Sequence, residues 1–224
     1  MRRQTVVRGV VLGVALAAGV AGAQTQPASS TPATPWTVDS GQTVGDGSNV
    51  IRGQVGWPGL WLDFIHGLDS TTDIGGRFSL DWGGWDGSTQ GSYGIGLGAQ
   101  LLLRKQMFEI GGFKGALTFN PGFLIYFPSG GTTAGITFPI GAQMGFPVAD
   151  KITVNASFEL PFWVTFSPGV FYIPILFGGG VEYAMQPDLL LTFKLAMGPS
   201  IATCSGCGAA FALNGLVGVA YKLK

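Results

Sequence analysis

The sequence predicts an all-β chain folded as a transmembrane antiparallel up-and-down β-barrel, and three observations carry that reading. The first is alternation. Ile136, Phe138, Ile140, Ala142, Met144 and Phe146 share one parity, and Thr137, Pro139, Gly141, Gln143 and Gly145 the other. The pattern resumes after 148–151 and runs to Phe166. Period two over a dozen residues means strand, because successive side chains leave a strand on opposite faces. The second observation is the chemistry of the two faces. One is large and apolar. The other is Gly, Thr, Ser, Asn and Gln with one carboxylate, Glu159, too small and polar for a solvated exterior rich in Lys and Glu. Apolar residues toward lipid and small polar residues toward a lumen fit both faces. The third is export without a spanning helix. Residues 1–23 read as a secretory signal: Arg2, Arg3 and Arg8, an apolar run over 9–20, then Ala21-Gly22-Ala23 as a small-residue cleavage site. That run is shorter than the ~20 residues a spanning helix needs. No later run reaches that length without polar interruption. An apolar exported chain then has one membrane solution, a closed barrel that satisfies every backbone group.

Composition agrees. The 224 residues are 46% apolar and 11% charged, with 38 glycines and a formal net charge of zero. Globular domains usually carry about 25% charged residues. The absence of a basic cluster argues against nucleic acid as a partner. Residues 24–35, rich in Thr, Ser, Ala and Pro, read as a flexible N-terminal segment. Residues 36–224 read as one barrel domain.

Element by element, 36–44 predicts a weak strand with Trp36, Val38 and Val44 on one parity, followed by a turn over 45–49. Residues 50–66 read as one long strand whose phase flips at a one-residue bulge at Pro58-Gly59. Arg52 and Gln54 share its polar face before the flip, Trp61 and Asp63 after it. Strands follow over 73–85, 92–104, 108–127, 134–147, 152–166, 171–184, 189–201 and 209–223. Nine strong strands and one weak one give ten, an even number as in bacterial barrels. Eight is the alternative, if 36–44 does not pair and 50–66 is not a single crossing.

If the C-terminus lies in the periplasm, the turns at 67–72, 104–107, 148–151 and 185–188 are periplasmic. The loops at 45–49, 86–91, 128–133, 167–170 and 203–208 are then external. Outward aromatics fall in two bands: Phe146, Tyr183 and Tyr221 near the periplasm, and Trp82, Tyr93, Phe127, Phe166, Phe171 and Phe211 near the outside. That is the aromatic-girdle pattern.

Nearly the whole mature chain resembles a small outer-membrane β-barrel of Gram-negative bacteria. Gly218-Val219-Ala220-Tyr221-Lys222-Leu223 is similar to the alternating, aromatic-containing final strand of that class, although the chain ends on Lys224 rather than an aromatic residue. The resemblance implies residence in the cell outer membrane, lipid as the surrounding partner and insertion by the barrel-assembly machinery. It is to an architecture and brings no active-site motif with it.

Candidate chemistry is sparse. His66 is the single histidine; placed at a strand end on the lipid-facing parity, it reads as interfacial rather than catalytic, and no catalytic residue is assigned. A lipid- or peptide-modifying enzyme would need an external nucleophile–base pair, and the sequence offers none. Cys204 and Cys207 have the spacing of a small loop disulfide, and two cysteines alone make no metal site. No cofactor is expected. The lumen-facing charges are the most specific constellation: Arg52, Arg77, Lys114 and Lys194 against Asp63, Asp81, Glu159 and Glu182. Four against four predicts mutual pairing, with Arg77 and Asp63 as diagonal neighbours. The pairs read either as a stabilising plug or as a selectivity-setting constriction. Pro121, Pro139, Pro161, Pro174 and Pro199 fall in the external halves of their strands, where each removes a ladder donor. The same half presents Leu124, Tyr126, Trp163, Tyr172 and Leu176 to the lumen. That is a candidate hydrophobic pocket for a lipid or other apolar molecule entering sideways, or simply lumen filling beside kinked strands. The functions that remain are a structural or surface barrel, a narrow pore, and lateral uptake or binding of a hydrophobic molecule.

The orientation is testable on intact cells. A thiol-reactive, membrane-impermeant label is expected to reach cysteines placed at Ser88 and Ser129 and not one placed at Asp150; labelling at 150 alone inverts the barrel.

Overall fold

In the computed structural model the described residues are 36–84, 94–128, 131–167, 169–203 and 209–223. The expected signal segment, the 24–35 segment, Cys204, Cys207, Tyr93, Ser88 and Ser129 lie outside them. The described chain is one closed antiparallel sheet, built from fourteen hydrogen-bonded segments. These make ten staves: β1 (Asn49–Trp57), β2 (Gly59–Asp69), β3 (Thr72–Asp81), β4 (Ile95–Ile110), β5 (Phe113–Phe119 with Gly122–Phe127), β6 (Thr133–Thr137 with Ile140–Ala149), β7 (Ile152–Leu160 with Trp163–Thr165), β8 (Phe171–Pro174 with Leu176–Gln186), β9 (Leu189–Ala202) and β10 (Ala209–Leu223). Each stave pairs with the next in sequence, and β1 closes the circle on β10 from Asn49↔Leu223 to Trp57↔Gly215.

The four split staves are single strands interrupted by proline, because the register runs through each interruption unchanged. Between β4 and β5 it is Gln100↔Gly122 on one side of the break and Leu103↔Phe119 on the other. Between β6 and β7 it is Thr137↔Trp163 and Ile140↔Leu160. Between β7 and β8 it is Trp163↔Tyr172 and Glu159↔Leu176. Pro121, Pro139, Pro161 and Pro174 stand at or beside the gaps. Each lacks the N–H that would continue the ladder there.

The ten-strand expectation holds, but the first two staves are not the ones expected, and the eight-strand alternative falls. Residues 50–66 are not one bulged strand. They turn back at Trp57-Pro58 into a hairpin, β1 to β2, with Arg52 opposite Asp63. The phase flip in the sequence is the chain reversing direction, which Pro58 enforces by having no donor to continue β1. Residues 36–44 are not a strand at all; they lie inside the barrel. Closure of β1 on β10 leaves no free edge for them to join. The loop 45–49 therefore sits at the opposite end from that expected, beside the β2–β3 turn, where Gly47 N donates to Gly67 O at 2.9 Å. β4 does not turn at 104–107 either. It continues to Ile110, and Gly111 and Gly112 make the turn at φ of 58° and 87°, which non-glycine residues rarely adopt.

The turns at 70–71, 111–112, 150–151 and 187–188 share one end with the C-terminus, called here the short-turn end. The strand ends at Trp57, Gly59, Asp81, Ile95, Phe127, Thr133, Thr165, Phe171, Ala202 and Ala209 share the other, called here the long-loop end. Outward aromatics occupy both. Trp82, Phe127, Phe166 and Phe211 are exposed at the long-loop end, Tyr183 and Tyr221 at the short-turn end. Between them the outer wall is a near-continuous apolar surface, with Leu62, Phe78, Leu101, Phe123, Phe193 and Val217 all exposed. A water-facing barrel does not present such a surface, and a membrane-spanning one requires it.

An arginine in the middle of that wall reports on the membrane directly. Phe193→Arg is expected to lower folding stability in phospholipid bilayers by about 2–4 kcal/mol if this face meets the midplane. Denaturant titration of the barrel in vesicles reads the loss.

Candidate functional site: a lumen closed by the N-terminal segment

The inward faces of the staves carry the polar parity, and residues 36–44 run among them. Trp36, Val38 and Val44 pack against Val50, Ile65 and Leu190 in a buried apolar cluster. The backbone of the segment has no ladder, so wall side chains take its hydrogen bonds. Val38 N and Asp39 N donate to Glu182 Oε1 on β8 at 2.7 and 3.2 Å. Arg104 on β4 donates to Thr37 O at 2.8 Å and Ser40 O at 3.3 Å. Val44 N donates to Asp73 Oδ1 on β3 at 3.2 Å. Trp36 Nε1 donates to Pro187 O at 2.9 Å. The fit is close. A Cβ on Gly41 would lie 1.9 Å from Lys114 O, and one on Gly145 would lie 2.7 Å from Ser40 Oγ. Only glycine allows the segment and the wall to approach this far.

Above the segment the charges pair. Asp63, with a fully buried side chain, receives Arg52 Nε at 2.8 Å and Arg77 Nε at 2.8 Å. Asp63 and Arg77 face each other directly across β2 and β3, not diagonally as expected. Arg77 also lies over the Trp61 ring at 4.1 Å. Arg52 reaches on to Asp39 of the segment at 2.6 Å. Arg104 holds Asp73 at 2.8 Å.

Of the charges singled out in the sequence, the structure joins Arg52, Asp63 and Arg77 in one cluster, and Lys194 to Glu159 at 2.6 Å in another. Asp81 takes its bonds from Trp61 Nε1 and Ser79 Oγ, both at 2.9 Å. Glu182 holds the segment. Lys114 pairs with Glu109 near the short-turn end at 3.5 Å. Sequence reasoning did not single out Asp39, Asp73 and Arg104. Asp73 and Arg104 share the inward parity of Arg77 and Gln100, so their position was readable. Asp39 was not, because its segment belongs to no stave. His66 bonds Asn49 through Nδ1 at 2.9 Å, at the short-turn end.

Between the segment and the proline level lies a cavity that admits the centres of water molecules over about 80 Å³. It is lined by Asp39, Arg52, Arg77, Arg104, Glu159 and Lys194, and by Asn120, Pro139 and Pro161. At ~10–15 Å³ per water this is room for a handful of waters, not for a sugar or peptide.

Toward the long-loop end, Leu124, Tyr126, Trp163 and Tyr172 form one packed cluster, with Trp163 stacked on Tyr172 at 4.4 Å between ring centres. Leu176 is not part of it; it packs with Ala196 and Ala212.

Fold and lumen together define a ten-stranded membrane β-barrel with a segment of its own chain seated inside. No protein-family model and no curated protein matches the sequence. Among solved structures it is similar to the KdgM porin in complex with disordered oligogalacturonate, with 9% identity and a TM-score of 0.37 over 79% of this chain and 99% of that one.

Asp63 bridges two guanidinium groups away from water, so removing it takes the ion-pair partner from Arg77 and leaves Arg52 with Asp39 alone. Asp63→Ala is expected to cost about 3–5 kcal/mol, as for one partner of a buried ion pair. Lys114→Ala, whose partner Glu109 is 53% exposed, is expected to cost about 0–1 kcal/mol. Urea titration of the refolded barrels distinguishes the two.

Proposed function

We propose that this chain is a non-enzymatic outer-membrane barrel whose charge-paired lumen is a narrow pore, held shut by its own N-terminal segment. The observation that carries the reading is the seat of residues 36–44. Wall groups from β1, β3, β4 and β8 hold this segment, and the apolar cluster closes beneath it. The paired lumen charges support a pathway for small polar solutes or ions rather than for one sign of charge. Gln100 Oε1, Gln143 Oε1 and Asn214 Oδ1 on the cavity wall are hydrogen-bond acceptors without a partner among the described residues. The signal-like segment at 1–23 and the apolar outer wall support residence in the outer membrane with the short-turn end toward the periplasm. β10 is the segment that the barrel-assembly machinery would read.

Planar-bilayer recording tests the reading. The intact barrel is expected to be mostly closed. Gly41→Val, which cannot sit against Lys114 O, is expected to raise open-channel conductance at least tenfold while the barrel stays folded. Arg77→Ala is expected to shift ion selectivity of that open channel toward cations. A folded Gly41→Val barrel that conducts no more than the intact protein removes the pore and leaves a structural or surface barrel.

A further inference from the structure

The wall between β7 and β8 has a seam. Continuing the register on either side places Pro139, Pro161 and Pro174 in one row across β6, β7 and β8, all facing the lumen. Pro161 and Pro174 oppose each other, and neither has an N–H, so that rung has no hydrogen bond. The neighbouring N–H groups serve other edges: Ile175 N donates to Pro199 O of β9 at 2.8 Å, in the regular β8–β9 ladder, and Phe162 N, on the β6 side of its stave, donates to Leu160 O at 2.9 Å. One bonded rung is therefore missing between β7 and β8, and the rungs that flank it, Glu159↔Leu176 and Trp163↔Tyr172, stand roughly 13 Å apart at the usual rise per residue.

Both sides of the seam are dressed with rings. Outside, the rings of Phe138, Phe162 and Phe171 lie 5.7–5.9 Å apart between centres, with Phe171 stacked on the other two. They cover the gap where the wall meets hydrocarbon. Inside, directly past the proline row, stand Trp163 and Tyr172, with Leu124 and Tyr126 beside them. Trp163 is 1% exposed, and its indole Nε1 has no hydrogen-bond partner among the described residues. A donor left in this apolar setting without an acceptor forfeits the bonds it would make in water. The surrounding chemistry asks for a ligand that is hydrocarbon along its length and carries an oxygen acceptor.

We infer that the β7–β8 seam is a lateral portal for a single fatty-acyl chain bearing a carboxylate or ester oxygen. The chain enters from the membrane past Phe138, Phe162 and Phe171. It displaces the Tyr172 ring from Trp163, and its oxygen accepts from Trp163 Nε1. This path does not use the lumen below the prolines, so it stands apart from the proposed pore.

The test is quenching of tryptophan fluorescence by a dibrominated fatty acid, with the barrel in an unbrominated detergent. Saturable quenching is expected in the intact protein, with the corresponding component missing in Trp163→Phe. A reversible lock then separates lateral entry from entry through a barrel mouth. Leu160→Cys with Ile175→Cys, which the register places opposite each other, is made in a Cys204→Ser, Cys207→Ser background. Oxidation of the pair is expected to slow the Trp163 component at least tenfold, and reduction to restore it. Pro161→Ala with Pro174→Ala, which returns two ladder donors, is expected to slow it in the same direction. The inference is overturned if quenching has no Trp163-dependent component, or if the oxidised and reduced barrels quench at the same rate.

Discussion

A peptide group in hydrocarbon has no water to bond, so the whole molecule rests on one constraint: the ladder must close. The β1–β10 pairing meets that constraint, and most other features follow from it. Ten staves with their apolar parity outward leave a polar parity inward. A barrel of this girth has a lumen that side chains can almost fill. What they do not fill, residues 36–44 occupy. The same constraint explains the local repairs at the proline breaks. Pro139 deprives Asn120 O of its donor, and the Gln100 side chain supplies one from inside at 3.2 Å.

The seated segment shows how irregular backbone survives inside a membrane protein. Its peptide groups have no strand partner, and charged side chains from the wall serve them instead. Glu182, Arg104 and Asp73 would each be costly alone in a closed lumen. Arg104 and Asp73 bond each other and the segment, and Glu182 accepts from the segment through Oε1 alone; the segment is fixed in position more than it is strongly held, since desolvation offsets much of the gain from each pair.

Much of this was legible in the sequence because alternation is a local signal. Ile136 to Phe166 predicts its own faces, and the structure keeps every parity over that stretch. Phase flips are ambiguous by nature. A bulge and a hairpin both swap the faces, so Pro58 could be read either way, and only pairing with a third strand decides between them. Residues 36–44 failed for a different reason. Their apolar parity fits a strand as well as it fits a buried strap, and the difference lies in whether a sheet edge is free, which is a property of the closed circle. Asp39 was invisible for the same reason. The proline level was visible as a composition bias, but its alignment into one row needed the register.

The seat also fixes the order in which the molecule can be completed. Asp39 lies 143 residues before its partner Glu182, and Trp36 151 residues before Pro187. Contacts of such separation form late, because the entropy of closing so long a loop is recovered only once the intervening chain is ordered. Arg52, Asp73 and Arg104 are available earlier, from β1, β3 and β4, and reach Asp39, Val44 and Thr37. The Trp36 indole and the amides of Val38 and Asp39 have no partner until β8 and the turn after it have been laid down. Docking of the strap therefore marks the end of assembly, and a barrel caught before that moment is a hollow ring with its future stopper still trailing from β1.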